Sequence, residues 1–373
     1  MKNTIQFPFY IRLAFTLLSL IALVAILYIG QDIIVPLVFA LLFAILLGPV
    51  VIFFKRKLHF PNILAIVFAL TLSVCIVIGT LLFVSWQISD ILNDWNTIKT
   101  NVFIYFESIQ DFMSQYFHLS KDDQAKFINN AKQNSTEQGK TIIASTLVSL
   151  SDVMVNLTLI PIYTFLILLY KNHFLKFLSK LYDQKYYPKL KDILFQIKVS
   201  VQSYILGLIF EMIAVSILTA IGFWFLGIKY TLVLGIITGI LNLVPYLGIL
   251  FAGLLSIIAT LTGSADISII IGVIVVNIIV QLIDNNILVP LIISSKVEIN
   301  AIVSIVGIII GGAICGISGM FLAIPIIAIF KVIFDRIDYL EPWGYLMGDN
   351  LPKTYTWNNI KLPLLDTDDI IEK

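Results

Sequence analysis

The sequence predicts an all-α polytopic integral membrane protein of about eight transmembrane helices, with an extracytoplasmic helical insertion and a broken span near Pro245. Three observations predict it. Hydrophobic residues make up 59% of the 373 and the mean hydropathy is +0.98, a composition that a water-soluble fold cannot cover with polar surface. Charged residues amount to 13%, about half the usual share, and they gather in short clusters between long uncharged runs, as loops between spans do. Those runs reach the roughly 20 residues that cross about 30 Å of hydrocarbon.

The apolar runs fall at 13–29, 33–54, 63–86, 153–170, 204–226, 232–261, 267–288 and 302–334. Lys2 and Arg12 precede the first, but the small residues of a signal-peptide cleavage site are missing around Leu27 to Gln31, so it is expected to stay as a span. Residues 1–86 then carry spans one to three, 87–152 an extracytoplasmic helical arm, 153–170 span four, 171–199 a basic cytoplasmic segment, 200–340 spans five to eight, and 341–373 a polar cytoplasmic tail. Orientation follows from the basic residues. Lys55, Arg56 and Lys57 lie on the same side as residues 171–198, which hold seven lysines, whereas 87–152 holds five lysines against eight acids. The expected location is a bacterial inner membrane, multi-pass, with both termini cytoplasmic.

On the arm, Ile91, Trp95, Ile98, Val102, Tyr105, Ile109, Phe112 and Tyr116 recur at alternating spacings of four and three, a heptad seam continuing from span three. Ser120 and Asp123 suit a capping box, and Asn134-Ser135-Thr136 interrupts the chain beyond it. The seam serves either two arm helices packing on each other or an oligomer or partner contact. The proline-bearing tail ends in Asp366, Asp368 and Asp369 and reads as partly disordered.

Several function classes are not expected. The net charge of +1 gives no basic field for nucleic acid. Cys75 and Cys315 sit in apolar runs, and His59, His118 and His173 are dispersed at loop positions, so neither a disulfide framework nor a metal site is expected. No HExxH, GxSxG, Walker A or GxGxxG context appears, and neither an enzyme nor a cofactor is expected.

Charged groups inside spans cost about 2.5 to 3.5 kcal/mol on insertion scales, so each demands a reason. Glu211 lies within span five beside Gly207, Ala214 and Gly222 at helical spacing, where small neighbours let another helix shield a carboxyl from lipid. Asn277, Gln281 and Asp284 share one face of span seven, and Asn285 and Asn286 extend that stripe. Such a stripe lines either a transport route or an interhelical hydrogen-bond network. Backbone supplies the third feature: Asn242, Pro245, Tyr246 and Gly248 lie within one apolar stretch too long for an upright span, and Pro245 breaks or kinks it. Pro290 repeats the device after span seven, and span eight is rich in glycine. Broken helices at membrane depth are how transporters build sites.

Asn242-Leu243-Val244-Pro245-Tyr246-Leu247-Gly248, Asp284-Asn285-Asn286-Ile287-Leu288-Val289-Pro290 and the run from Gly311-Gly312-Ala313 through Gly319-Met320-Phe321-Leu322-Ala323-Ile324-Pro325 resemble the signature segments of the autoinducer-2 exporter family of permeases. The resemblance covers nearly the whole chain. It implies a membrane-embedded homo-oligomer that exports a small polar signalling molecule or related metabolite. Some members of that family resemble sodium/proton antiporters, so antiport of Na+ or H+ through the intramembrane carboxylates is the alternative, and a membrane scaffold whose arm binds a partner is a third.

Overall fold

The computed structural model describes residues 8–94, 158–244, 248–260, 266–291 and 299–349, with 97, 100, 101, 104 and 263. The arm seam beyond Ile91, the Ser120–Asp123 box, the Asn134-Ser135-Thr136 interruption, Pro245, Tyr246 and the tail after Asp349 lie outside the described residues.

Among the described residues the regular structure is helical throughout. Helices α1 (Phe9–Ile29), α2 (Gln31–Lys57) and α3 (Asn62–Asn93) follow one another through short turns. Helix α4 (Thr158–Leu181) returns from the arm, and α5 (Tyr187–Phe225) is the longest. The segment 171–199 is therefore two helix extensions around a short turn, and His173 lies in helix α4, still exposed, where a loop was expected. Then come α6 (Thr231–Asn242), α7 (Gly248–Thr260), α8 (Ile267–Ile283), a π-helical Asp284–Leu288, α9 (Ala301–Phe334) and α10 (Glu341–Met347).

Among the described residues seven helices are, by length and composition, long and apolar enough to cross a membrane. The structure corrects the sixth and eighth expected spans. Tyr230, Val233 and Leu234 at the start of α6 share one packed cluster with Ala259 at the end of α7. In a continuous helix Leu234 and Ala259 would stand about 37 Å apart at 1.5 Å per residue. Helices α6 and α7 therefore form a helical hairpin, the chain reversing between the end of α6 at Asn242 and the start of α7 at Gly248.

Helix α9 reverses as well. At Cys315 and Gly316 the backbone leaves the helical region, and Gly316 has φ +61°, a conformation glycine adopts without strain. A Cβ on Gly311 would strike the Gly319 carbonyl, and one on Gly307 would strike Ile327. Both ends of α9 meet α10: Asn300 N–H donates to the Met347 carbonyl at 3.0 Å, and Gly344 packs against Asp335. Residues 301–314 and 317–334 are thus the limbs of a second hairpin.

The two hairpins enter from opposite ends. Helix α5 leads to the first at the arm end, where Phe223, Val273 and the partly buried Ile91 of α3 join the Tyr230 cluster. Helix α8 leads back toward the second at the basic end, where Lys189 pairs with Asp338 at 3.0 Å and Arg336 with Asp192 at 2.7 Å. A long helix followed by a hairpin thus occurs twice in opposite sense, the inverted repeat found in many transporters. No such repeat was legible in the residue order.

Between lipid-facing helices there is no hydrophobic driving force, so association depends on close packing. Gly235 and Gly239 of α6 press on Ser216 and neighbouring backbone of α5, and Gly222 of α5 presses on Val276 of α8. Below them Leu42, Val201, Tyr204, Leu208 and Leu322 join α2, α5 and the second hairpin, with Phe39 stacked on Phe321 at 5.5 Å. Helices α2, α3 and α4 form a separate cluster about Val51, Phe54 and Ile66. Helix α1 buries none of its side chains.

Candidate functional site at the first hairpin tip

Three elements meet where α6 ends. Close approach of α6 to α5 through Gly235 and Gly239 carries Asn242, at the C-terminal end of α6, down to the level of Glu211. Helix α8 descends beside them and changes at Asp284 into a π-helical turn, a form often found at functional sites. Asn242 Nδ2 donates to Glu211 Oε1 and to Asp284 Oδ2, both at 3.1 Å. One amide therefore bridges two carboxyls that lie 73 residues apart in sequence (284 minus 211). Glu211 is 6% and Asp284 3% exposed.

The bridge leaves Glu211 Oε2 and Asp284 Oδ1 without hydrogen-bond partners, and Thr219 Oγ1 on α5 is in the same condition. No lysine or arginine among the described residues pairs with either carboxyl. Burying a charge is costly unless it is paired. Protons or cations from solution are the counter-charges such a pair can recruit.

Beside Asp284 lies a small cavity of about 10 Å³, lined by Val215, Thr238, Asn242, Asn277, Val280, Gln281 and Asp284. That is room for about one water-sized guest. The stripe of Asn277, Gln281 and Asp284 is thus brought together with Glu211 and Asn242. Asn285 and Asn286 are exposed, Asn286 Nδ2 donating back to the Leu282 carbonyl, and Pro290 is exposed too, so these three do not reach the cavity. Gly248 lies against Leu241 and Asn242 backbone at the tip, where a Cβ has no space. Thr238 and Val215 line the cavity without having been singled out from sequence. Thr238 stands one helical turn before Asn242, and Val215 one turn after Glu211, so i and i+4 spacing from the two polar anchors would have found both.

Among the described residues no group of three or more His, Cys, Asp or Glu could hold a metal ion. At the arm end Lys229 Nζ donates to Asp94 Oδ2 at 2.7 Å and Tyr230 Oη donates to the same atom at 2.9 Å. The Lys229 bond, then the Tyr230 bond, hold the Asp94 carboxyl below its ordinary range.

The sequence profile described as AI-2E family transporter matches residues 17–338. The chain belongs to the AI-2E transporter family. Two relatives, both from Bacillus subtilis (strain 168) and both named for transport, agree with this. YueF is 26% identical over 368 residues, covering 90% of this chain and 94% of that protein. YrrI is 27% identical over 133 residues, covering 36% of this chain and 37% of that protein, so there the match spans about a third of the relative. In this AI-2E chain, Asn242 comes from the first segment that carried the resemblance and Asp284 from the second. The third, 311–325, turns the second hairpin at Gly316.

Proposed function

We propose that this AI-2E family transporter exports a small polar solute and couples that movement to a proton or cation taken up on the Glu211–Asp284 pair. One observation carries the reading: two buried carboxyls, on helices leading to oppositely directed hairpins, share a single amide donor at a hairpin tip. A carboxyl pair that binds a cation loses its need for that donor, which frees the tip to move. Ligand binding then shifts the balance between arrangements by the difference in its affinity for each. The basic end carrying Lys55, Lys57 and Lys189 is cytoplasmic and the arm extracytoplasmic, on the lysine asymmetry. Both termini are then cytoplasmic in a bacterial inner membrane. The resemblance favours a polar signalling molecule or related metabolite as cargo, and a homo-oligomer as the assembly.

The exchange of Na+ for H+ without an organic cargo is the second reading, favoured by the size of the cavity, which has room for about one water-sized guest. Proteoliposome flux with imposed pH and Na+ gradients separates the two. Movement of a polar metabolite driven by either gradient supports export. Proton release on Na+ addition with no metabolite moved supports antiport, and no response to either gradient contradicts both.

A further inference from the structure

The last three turns of α4, residues 171–181, are amphipathic. At about 100° per residue, Phe174, Leu175, Phe177, Leu178 and Leu181 fall within an arc of about 160°, while Asn172, His173, Lys176, Ser179 and Lys180 share the opposite side. Lys171 alone among the polar residues lies on the apolar side, where a lysine stem can run along apolar surface and carry its ammonium outward. That apolar face is uncovered: Phe174 and Leu175 are exposed, Phe177 by 56% and Leu181 by 61%, and Leu178 is half-buried. The positive charge is unmatched too. Among the described residues none of Lys171, Lys176, Lys180 and Lys185 forms an ion pair, and Asp183 is the single acid between positions 171 and 191. Lys185, its Nζ 4.6 Å from the Tyr186 ring centre, carries the basic side past the end of the helix.

Packing fixes the level of this stretch. Helices α2 and α4 both run from the arm end to the basic end, Thr164 Oγ1 reaches the Ala40 carbonyl at 3.4 Å, and Leu168 and Leu169 pack against the cluster of Val51 and Phe54. Lys55, Arg56 and Lys57 close α2 immediately after Phe54, so residues 171–181 pass through the same level. Basic residues closing a span mark where hydrocarbon gives way to headgroups. An amphipathic helix at that depth, with lysine on one side and Phe and Leu on the other, suits a bilayer interface, and a cluster of lysines directly after a span suits an anionic one. A protein partner suits it less, because lysine is depleted at protein interfaces and a second copy would bring the same positive charge.

We propose that residues 171–185 form a binding surface for anionic phospholipid. Phe174, Phe177 and Leu181 sit at the acyl boundary, and Lys176, Lys180 and Lys185 meet the anionic headgroups. The surface is independent of the transport reading, since neither the carboxyl pair nor any flux enters it.

The test uses the full chain with Cys75 and Cys315 replaced by serine and a fluorophore on Phe177→Cys. The protein is placed in phosphatidylcholine bilayers containing an equal fraction of either brominated phosphatidylglycerol or brominated phosphatidylcholine. Bromine quenches a neighbouring label, so the ratio of the two quenching strengths reports which lipid gathers at position 177. Phosphatidylglycerol should be favoured about fivefold, the scale of one lysine near an anionic surface. Raising NaCl from about 0.1 M to about 1 M, where the screening length falls to about 3 Å, should remove most of that preference. The triple variant Lys176→Gln, Lys180→Gln, Lys185→Gln should remove it at low salt, and the salt series on the unmutated lysines decides alone if that variant fails to fold. The same label on the exposed Leu82→Cys of α3, away from the lysines, should show no preference. Equal quenching by the two lipids at position 177 overturns the proposal, as does a preference that survives high salt or the triple variant, or one that is equally strong at position 82. Absence of quenching by either lipid at position 177 overturns it as well, because a second copy or the acid-bearing tail would then cover the face.

Discussion

Gly307 and Ile327 face each other across the second hairpin, so closely that a Cβ on the glycine would meet the end of the isoleucine side chain. A straight helix would hold them about 30 Å apart. Paired cysteines at these positions, with Cys75 and Cys315 replaced by serine, should therefore form a disulfide on mild oxidation, since bridging requires Cβ atoms within about 4.5 Å. The measurement is the mobility shift after proteolysis of the intervening loop. Failure to cross-link in folded protein would restore α9 as a continuous span.

The first hairpin makes a comparable claim about sidedness. Lys229 precedes α6 and Gly263 follows α7, so both belong to the arm end. Cysteines at the two positions should react with an impermeant thiol reagent from the same face, and a cysteine at Lys185 from the opposite one. Reaction of positions 229 and 263 from opposite faces would mean that α6 and α7 together span the membrane.

Asn242→Leu removes the amide donor shared by Glu211 and Asp284 and leaves both carboxyls buried without it. Loss of a hydrogen bond to a buried group costs about 1 to 3 kcal/mol, more when the group is charged. The variant should show a lower unfolding temperature in detergent. Adding Glu211→Gln and Asp284→Asn should recover part of that loss, because less charge remains to be satisfied. An unchanged unfolding temperature in Asn242→Leu would show that the bridge does not contribute.

Asp94 and Lys229 tie the end of α3 to the turn before the first hairpin. The Lys229 partner lowers the Asp94 pKa, so the tie contributes above the ordinary aspartate pKa and is lost only as pH falls through the lowered value; Lys229, raised chiefly by Asp94, keeps its charge through the alkaline side. Between pH 5 and 9 the tie should thus be insensitive to pH but weakened by salt, being exposed. Asp94→Asn should abolish the salt dependence of protease cleavage near residue 94, and a persistent salt effect in that variant would assign it to other charges.

The helices and their order were legible because apolar length is a strong signal, and so were the two carboxyls, because a charge in an apolar run has few explanations. The reversals were not. A largely apolar run of 34 residues such as α9 reads the same whether it crosses once or folds back on itself, and the deciding contacts join positions eight and twenty residues apart. Extending the stripe past Asp284 to Asn285 and Asn286 goes against helical spacing, because residues one and two positions on do not share its face. Both asparagines lie on the π-helical turn and are exposed. Thr238 escaped notice because a threonine in a span ordinarily bonds its own helix. Here it does so and still offers the cavity an oxygen.

The central claim is that Glu211 and Asp284 act together in transport and do not merely hold helices. The most direct measurement is flux per correctly folded protein in proteoliposomes for Glu211→Gln, Asp284→Asn and the double variant beside wild type. Each replacement keeps shape and much of the hydrogen bonding to Asn242, but a neutral amide can neither release a proton nor balance a cation. The account predicts that either single change reduces coupled flux at least tenfold, that the double variant is no worse than the lower single, and that all three remain folded. Wild-type flux with wild-type pH dependence in both single variants would contradict it.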